Sequence, residues 1–167
     1  MAASAQPVVL VLGASGMLGR AVHKVLQQES ASGVAYRVVG TGHSRAADLG
    51  LRPLDVTDTA ALSSFLEGLA PAVVVNCVAE RRPDRVERDE AYARRLNVEL
   101  VERLAAFTAT QGCHLVNIST DYVFDGTAPP YAPDDAPNPL NAYGRHKLEA
   151  EEAIRKVGGS CLICLLF

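Results

Sequence analysis

Two groups of residues in this chain have types and spacings that could do chemistry. Gly13, Gly16 and Gly19 stand three residues apart, and Tyr143 and Lys147 stand four apart with Thr120 upstream of them. The glycine triplet suits a phosphate. Gly13 permits a tight turn, Gly16 lets the backbone approach a pyrophosphate, and Gly19 lets a helix pack closely on a strand. The N-terminus of that helix then offers unpaired N–H groups and the positive end of its dipole to the anion. The spacing is G-x-x-G-x-x-G rather than G-x-G-x-x-G, so the flanks carry the assignment. Five apolar residues, Val8 to Leu12, read as a buried strand, and the run from Ala21 to Leu26 has helical spacing. Tyr143 and Lys147 share one helix face. An ammonium beside a phenol favours the phenolate, so Lys147 is expected to lower the Tyr143 pKa and make the pair a general acid or base. Thr120, at the end of a strand, could hydrogen-bond a substrate carbonyl. A chance Tyr-x-x-x-Lys is a packed aromatic over a lysine stem; the glycine turn and the strand-end hydroxyl, in this order in one chain, favour the site.

Positioning these residues takes alternating strands and helices, and the remaining sequence supplies them. A second strand over 35–42 runs into His43-Ser44-Arg45. A carboxylate at this point would hold a ribose 2′-hydroxyl, whereas a basic residue holds a 2′-phosphate. Arg45 offers a charge-assisted fork and Ser44 a hydroxyl, so NADP is favoured over NAD. A third strand over 51–58 carries Asp55, a possible acceptor for the adenine amino group, and Thr57 or Asp58 caps the next helix. That helix, over 59–69, shows the stripe Leu62, Phe65, Leu66, Leu69 and stops before Pro71. A fourth strand over 72–79 is apolar on both faces and therefore central. Its end is followed by a charge-dense segment, residues 81–95, that reads as solvated, except that Arg81 could reach a cofactor phosphate or ribose.

A helix over 91–110 places Leu96, Leu100, Leu104 and Phe107 on one face with Asn97 beside them. An inward amide is either a satisfied core group or part of a site. A fifth strand over 113–118 leads into Ser119 and Thr120, with His114 read as a packing or surface residue. The proline-rich stretch 128–139 must be a loop, expected over the site, and a helix opens near residue 140. The fold class is α/β: a Rossmann-type doubly wound parallel sheet, with a short disordered tail over 1–7 and one domain over 8–167.

Composition sets the outer bounds. With 167 residues, 49% of them hydrophobic, the chain can bury a single core. A net charge of -3 gives no general attraction to nucleic acid or to anionic membrane. No apolar run approaches the roughly 20 residues of a membrane span, and residues 1–6 lack the pattern of a secretory signal. The four cysteines then suggest a reduced, cytoplasmic protein. Cys161 and Cys164 are spaced C-x-x-C, but with no second pair and with Leu162, Ile163, Leu165 and Leu166 around them they read as a buried strand rather than a redox or metal site.

Taken together, Gly13-x-x-Gly16-x-x-Gly19, Asn97, Ser119-Thr120 and Tyr143-x-x-x-Lys147 resemble the extended short-chain dehydrogenase/reductase superfamily. The runs from Ser119 to Gly126 and from Pro139 to Gly144 are similar to its dTDP-4-dehydrorhamnose reductase branch. Gly19 to Lys24, Cys77 to Asp84 and Asp121 to Tyr131 look like the methionine adenosyltransferase regulatory beta-subunit family. The resemblance implies NADP contacts at Ser15, Gly16, Met17, Leu18, His43, Ser44, Arg45, Asp55, Val56, Cys77, Arg81 and Tyr143, with Lys147 at the ribose. It implies a reductase-type site, Thr120, Tyr143, Lys147 and Asn97, kept in a non-catalytic subunit whose partner is the catalytic subunit that makes S-adenosylmethionine. The alternative is an NADP-dependent reductase of a nucleotide-sugar keto group. Members of the superfamily continue past this point into a substrate-binding lobe, so the chain is expected to be a fragment lacking that lobe.

Overall fold

The computed structural model describes residues 6–166; residues 1–5, which hold most of the expected tail, and Phe167 lie outside the described residues. By Pro7 the backbone is already paired, its carbonyl accepting from the Arg37 N–H at 2.9 Å. The elements run β1 (Val8–Leu12), α1 (Met17–Ala31), β2 (Arg37–Gly42), β3 (Arg52–Pro53), α2 (Thr59–Leu69), β4 (Val73–Asn76), α3 (Pro83–Arg88), α4 (Glu90–Arg94), α5 (Leu100–Gln111), β5 (His114–Thr120), α6 (Ala142–Val157) and β6 (Cys161–Leu166).

All strand pairs are parallel, in the order β3-β2-β1-β4-β5-β6. The winding direction reverses between β1 and β4, the point where open α/β sheets place their ligands. Each face of the sheet is covered by apolar helix stripes. Leu10, Leu12, Val74 and Leu115, all fully buried, meet Leu62 and Leu66 of α2, Leu100 and Leu104 of α5 and Ile154 of α6. On the opposite face Val11 and Val75 pack against Val22 and Leu26 of α1. Burying one such side chain is worth about 1.5–3 kcal/mol, so the two layers fix the carboxyl ends of β1, β4 and β5 side by side.

Three expectations are corrected. The third strand shrinks from residues 51–58 to Arg52–Pro53, because the Leu54 N–H makes the last bond to the Gly42 carbonyl and the Asp55 side chain then folds the backbone into a turn by accepting from the Thr57 N–H. The helix expected over 91–110 is interrupted by a π-helical turn at Arg95–Glu99. An inserted residue of this kind is commonly found at functional sites, and here it carries Asn97. The terminal strand is not buried: β6 lies at the sheet edge, and Leu162 is 60% exposed. Cys161 and Cys164 are strand residues there, neither of them buried. No helix among the described residues is long and apolar enough to cross a membrane.

Candidate functional site

The turn between β1 and α1 is built by its glycines. Gly13 has φ +75°, in the left-handed region, and a Cβ there would lie about 3 Å from Val78 and the Cys77 carbonyl. At Gly19 a Cβ would lie 2.2 Å from the Gly13 carbonyl oxygen, so its absence allows the helix to sit on the turn. Gly16 is the N-cap of α1 with φ -78°. Among the described residues no side chain caps α1, nor α3 and α5, whereas α2, α4 and α6 are capped by Asp58, Asp89 and Asn141. The leading N–H groups of α1 are thus free of side-chain acceptors and available to an anion. Met17, at the start of the helix, is largely exposed.

The β2 loop is tied to this turn. Ala14 N–H donates to the Thr41 carbonyl at 2.8 Å, and Arg45 Nη2 donates to the Ser15 carbonyl at 2.9 Å. His43, Ser44 and Arg45 are exposed around it, while Ala46 is buried and anchors the loop. Asp55 Oδ1 accepts from the Thr57 N–H and hydroxyl at 2.9 and 2.6 Å. These bonds hold its carboxyl below the usual carboxylate range. Its Oδ2 lies 3.7 Å from His43 Nε2. Val56 turns its side chain into the core.

Beyond β4, Asn97 clamps the backbone that leads to Arg81. The fully buried amide accepts from the Glu80 N–H and donates to the Glu80 carbonyl, each at 2.9 Å. Both amide atoms are satisfied, so Asn97 acts as scaffold for this loop. Glu80 in turn forms a two-pronged pair with Arg82 at 2.9 and 2.8 Å. The Cys77 thiol is pushed up to about 11 by burial, with Lys147 pulling the other way.

At the end of β5, Thr120 lies beside Tyr143, while Lys147, one turn further along α6, reaches the Ile118 carbonyl, and the electrostatics differ from expectation. Thr120 is buried beside the half-buried Tyr143, and Tyr122 meets Tyr143 edge to face at 6.0 Å. Burial pushes the Tyr143 phenol above its ordinary value, and the Arg81 guanidinium and Thr120 hydroxyl oppose that shift. The expected lowering of Tyr143 by Lys147 is therefore corrected: the cation acting on the phenol is Arg81. Lys147 is 2% exposed, and its Nζ donates to the Ile118 carbonyl at 2.5 Å. Burial lowers its pKa to about 8, while Glu151 and Cys77 hold it up.

Residues missed by sequence reasoning complete the arrangement. A Cβ at Gly144 would lie 2.2 Å from the Tyr122 carbonyl oxygen; the available signal was a glycine inside a helix, where it costs about 1 kcal/mol against alanine. Ser119 and Glu151, both buried, bond to each other beneath Lys147. The proline-rich loop borders a cleft of about 560 Å³ lined by Tyr122, Phe124, Pro130, Tyr131 and Leu140, beside the Thr120 site and away from the glycine turn. Four hydrogen bonds, from Thr127 N–H and hydroxyl, Tyr131 and Asn138, hold the Asp125 carboxyl far below its ordinary value and brace this loop.

The chain matches the family described as the RmlD substrate binding domain over residues 7–165. It is 46% identical over 149 residues to the methionine adenosyltransferase 2 subunit beta of Xenopus tropicalis, an alignment covering 87% of this chain and 42% of that relative. It is 39% identical over 153 residues to the dTDP-4-dehydrorhamnose reductase of Streptomyces griseus, covering 91% of this chain and 46% of the relative. The crystal structure of the dTDP-4-dehydrorhamnose reductase of Bacillus anthracis in complex with NADP is similar at a TM-score of 0.81 and 25% identity, covering 96% of this chain and 53% of that one. The chain thus spans about half the length of the relatives it matches.

Proposed function

The chain belongs to the RmlD substrate binding domain family, and from that premise we propose that it is the NADP-binding part of a regulatory, non-catalytic subunit of methionine adenosyltransferase that modulates S-adenosylmethionine synthesis. The partner reading is carried by the 46% identity to a protein named as that subunit. The nucleotide reading is carried by one structural observation: α1 begins at a glycine turn with no side-chain cap among the described residues, so its N–H groups are open to a phosphate.

The residues present fit a dinucleotide. Ser15, Gly16, Met17 and Leu18 would take the pyrophosphate, and Ser44 and Arg45 the 2′-phosphate. His43, Asp55 and the backbone at Val56 would border the adenosine end; Cys77, Arg81, Tyr143 and Lys147 would border the nicotinamide end. When bound, NADP supplies a hydride donor or acceptor at its nicotinamide ring. The chain's own groups are arranged to hold a ligand more than to move a proton. Tyr143 keeps its proton well above neutral pH, and the Lys147 ammonium is taken up by the Ile118 carbonyl. Its four cysteines are free, which suits a reducing compartment such as the cytoplasm.

The alternative, an NADP-dependent reductase of a nucleotide-sugar keto group, is favoured by the Thr120 hydroxyl beside Tyr143 and by the likeness to the Streptomyces enzyme. In that case Thr120 would hydrogen-bond the carbonyl oxygen and Tyr143 would protonate it. Two measurements separate the readings. NADPH at about 100 times its dissociation constant should stabilise the chain by roughly 2.7 kcal/mol, and the protein should co-elute with a methionine adenosyltransferase catalytic subunit. Stabilisation and turnover of dTDP-4-dehydrorhamnose without co-elution would favour the reductase; no stabilisation would remove both.

A further inference from the structure

Positions 147, 151 and 155 follow one another at helical spacing along α6 and share a face, which looks onto the carboxyl end of β5. Lys147 reaches the Ile118 carbonyl from it. Glu151, 4% exposed, accepts from the buried Ser119 hydroxyl through Oε1 and from Arg155 Nη2 through Oε2 at 2.9 Å. A buried carboxylate with both oxygens engaged from two elements is held rigidly, and its position has a consequence for the lysine one turn away.

We propose that Glu151 is the positioning residue for Lys147: its buried carboxylate keeps the ammonium charged at the end of β5, with Ser119 and Arg155 holding that carboxylate in place. The role given to Lys147 rests on the nucleotide-site reading above. A buried ammonium is unfavourable without a compensating charge, and the hydrogen bond found for Lys147 among the described residues goes to a neutral carbonyl. Two titratable groups act on it, Glu151 on its own helix and Cys77 beyond β4; β5 contributes the Ile118 carbonyl and the Ser119 hydroxyl. Burial keeps the Cys77 thiol neutral at physiological pH, so Glu151 is the anion. Arg155 bonds to Glu151 Oε2 at 2.9 Å with its side chain 55% exposed, so solvent screens its charge more than that of the buried Lys147.

The test is the Glu151→Gln variant of the whole chain, with the Lys147 titration followed by the 13Cε chemical shift and NADPH affinity followed from pH 6 to 9. The wild-type midpoint is expected near 8 and the glutamine variant's at least about one pH unit lower, with the pH at which NADPH affinity falls moving by the same amount. Glu151→Asp should restore most of the shift. An unchanged Lys147 midpoint in a variant that has merely lost thermal stability overturns the proposal. A midpoint that moves while NADPH affinity does not follow supports the coupling of Glu151 to Lys147 and removes Lys147 from the nucleotide site. If Glu151→Gln does not fold, Ser119→Ala, which releases one anchor of the carboxylate, should move the Lys147 midpoint away from the wild-type value; no change there also overturns the proposal.

Discussion

Alanine at Gly16 and alanine at Gly19 should have opposite effects on stability and on binding, although the two glycines are one turn apart. At Gly19 the new Cβ would lie 2.2 Å from the Gly13 carbonyl oxygen, 2.7 Å from its carbon and 3.0 Å from Ala14 Cα. Every one of these atoms is backbone, so no side chain can swing aside. Alanine would gain about 1 kcal/mol of helix propensity, but overpacking costs roughly 1–3 kcal/mol, occasionally more, and an immovable neighbour places this case at the upper end. The net loss is about 2 kcal/mol or more, which for a chain of this size lowers Tm by at least about 4–8 °C. At Gly16 the nearest atom is the Gly13 oxygen at 3.3 Å and φ is -78°, so alanine needs only a shift of a few tenths of an ångström and costs on the order of 1 kcal/mol, part of it as a poorer N-cap. Its methyl would nevertheless stand where a phosphate must approach the α1 N–H groups. Differential scanning fluorimetry with and without NADPH separates the effects. The wild type should gain roughly 5–11 °C at about 100 times the dissociation constant. Gly16→Ala should lower the ligand-free Tm by no more than about 2–4 °C and lose that gain. A full NADPH gain in Gly16→Ala would mean that the phosphate does not lie at this turn, and an unchanged Tm in Gly19→Ala would refute the packing argument.

Further outcomes follow from the same geometry. Arg45→Ala should weaken NADPH on the order of tenfold by calorimetry and leave NADH unchanged; equal loss of both would show that Arg45 works only through its bond to the Ser15 carbonyl. Asn97→Ala leaves the Glu80 N–H and carbonyl without their partners and should cost about 2–3 kcal/mol, read as a lower urea midpoint at unchanged slope; an unmoved midpoint would mean the clamp contributes nothing. Because burial raises the Tyr143 pKa, folding favours the neutral phenol. Its contribution is fully present below pH 10 and is lost as pH rises past the ordinary value, where the unfolded phenol ionises first. Tyr143→Phe should therefore delete one ionisation from the high end of the 295 nm titration and none near neutrality, and a midpoint below 9 that vanishes in the variant would contradict this assignment.

The order of strands and helices, the central position of β1 and β4 and the glycine turn are all legible in the sequence, as is the sharing of one helix by Tyr143 and Lys147. Each depends on short-range rules: apolar runs for strands buried on both faces, a 3.6-residue period for helices, and a glycine where φ is positive or backbones touch. The π-helical turn was not legible. The periodicity of residues 91–110 is satisfied with or without one inserted residue, and the partner of Asn97 in that turn is the Glu80 backbone, 17 positions earlier. Asp55 likewise offers a carboxylate at the right place in the chain, yet its Oδ1 is engaged by Thr57 within its own turn. The charge states at the candidate site were beyond the sequence for the same reason. A spacing of four puts Tyr143 and Lys147 on one face, but which cation acts on the phenol depends on where Arg81 emerges beyond β4, and how far Lys147 shifts depends on the helices and strands that cover it and on Glu151 beneath. Local pattern decides which atoms can come together, because backbone geometry repeats over a few residues; desolvation and long-range pairing decide what those atoms do, because they are set by neighbours that only the folded chain brings within reach.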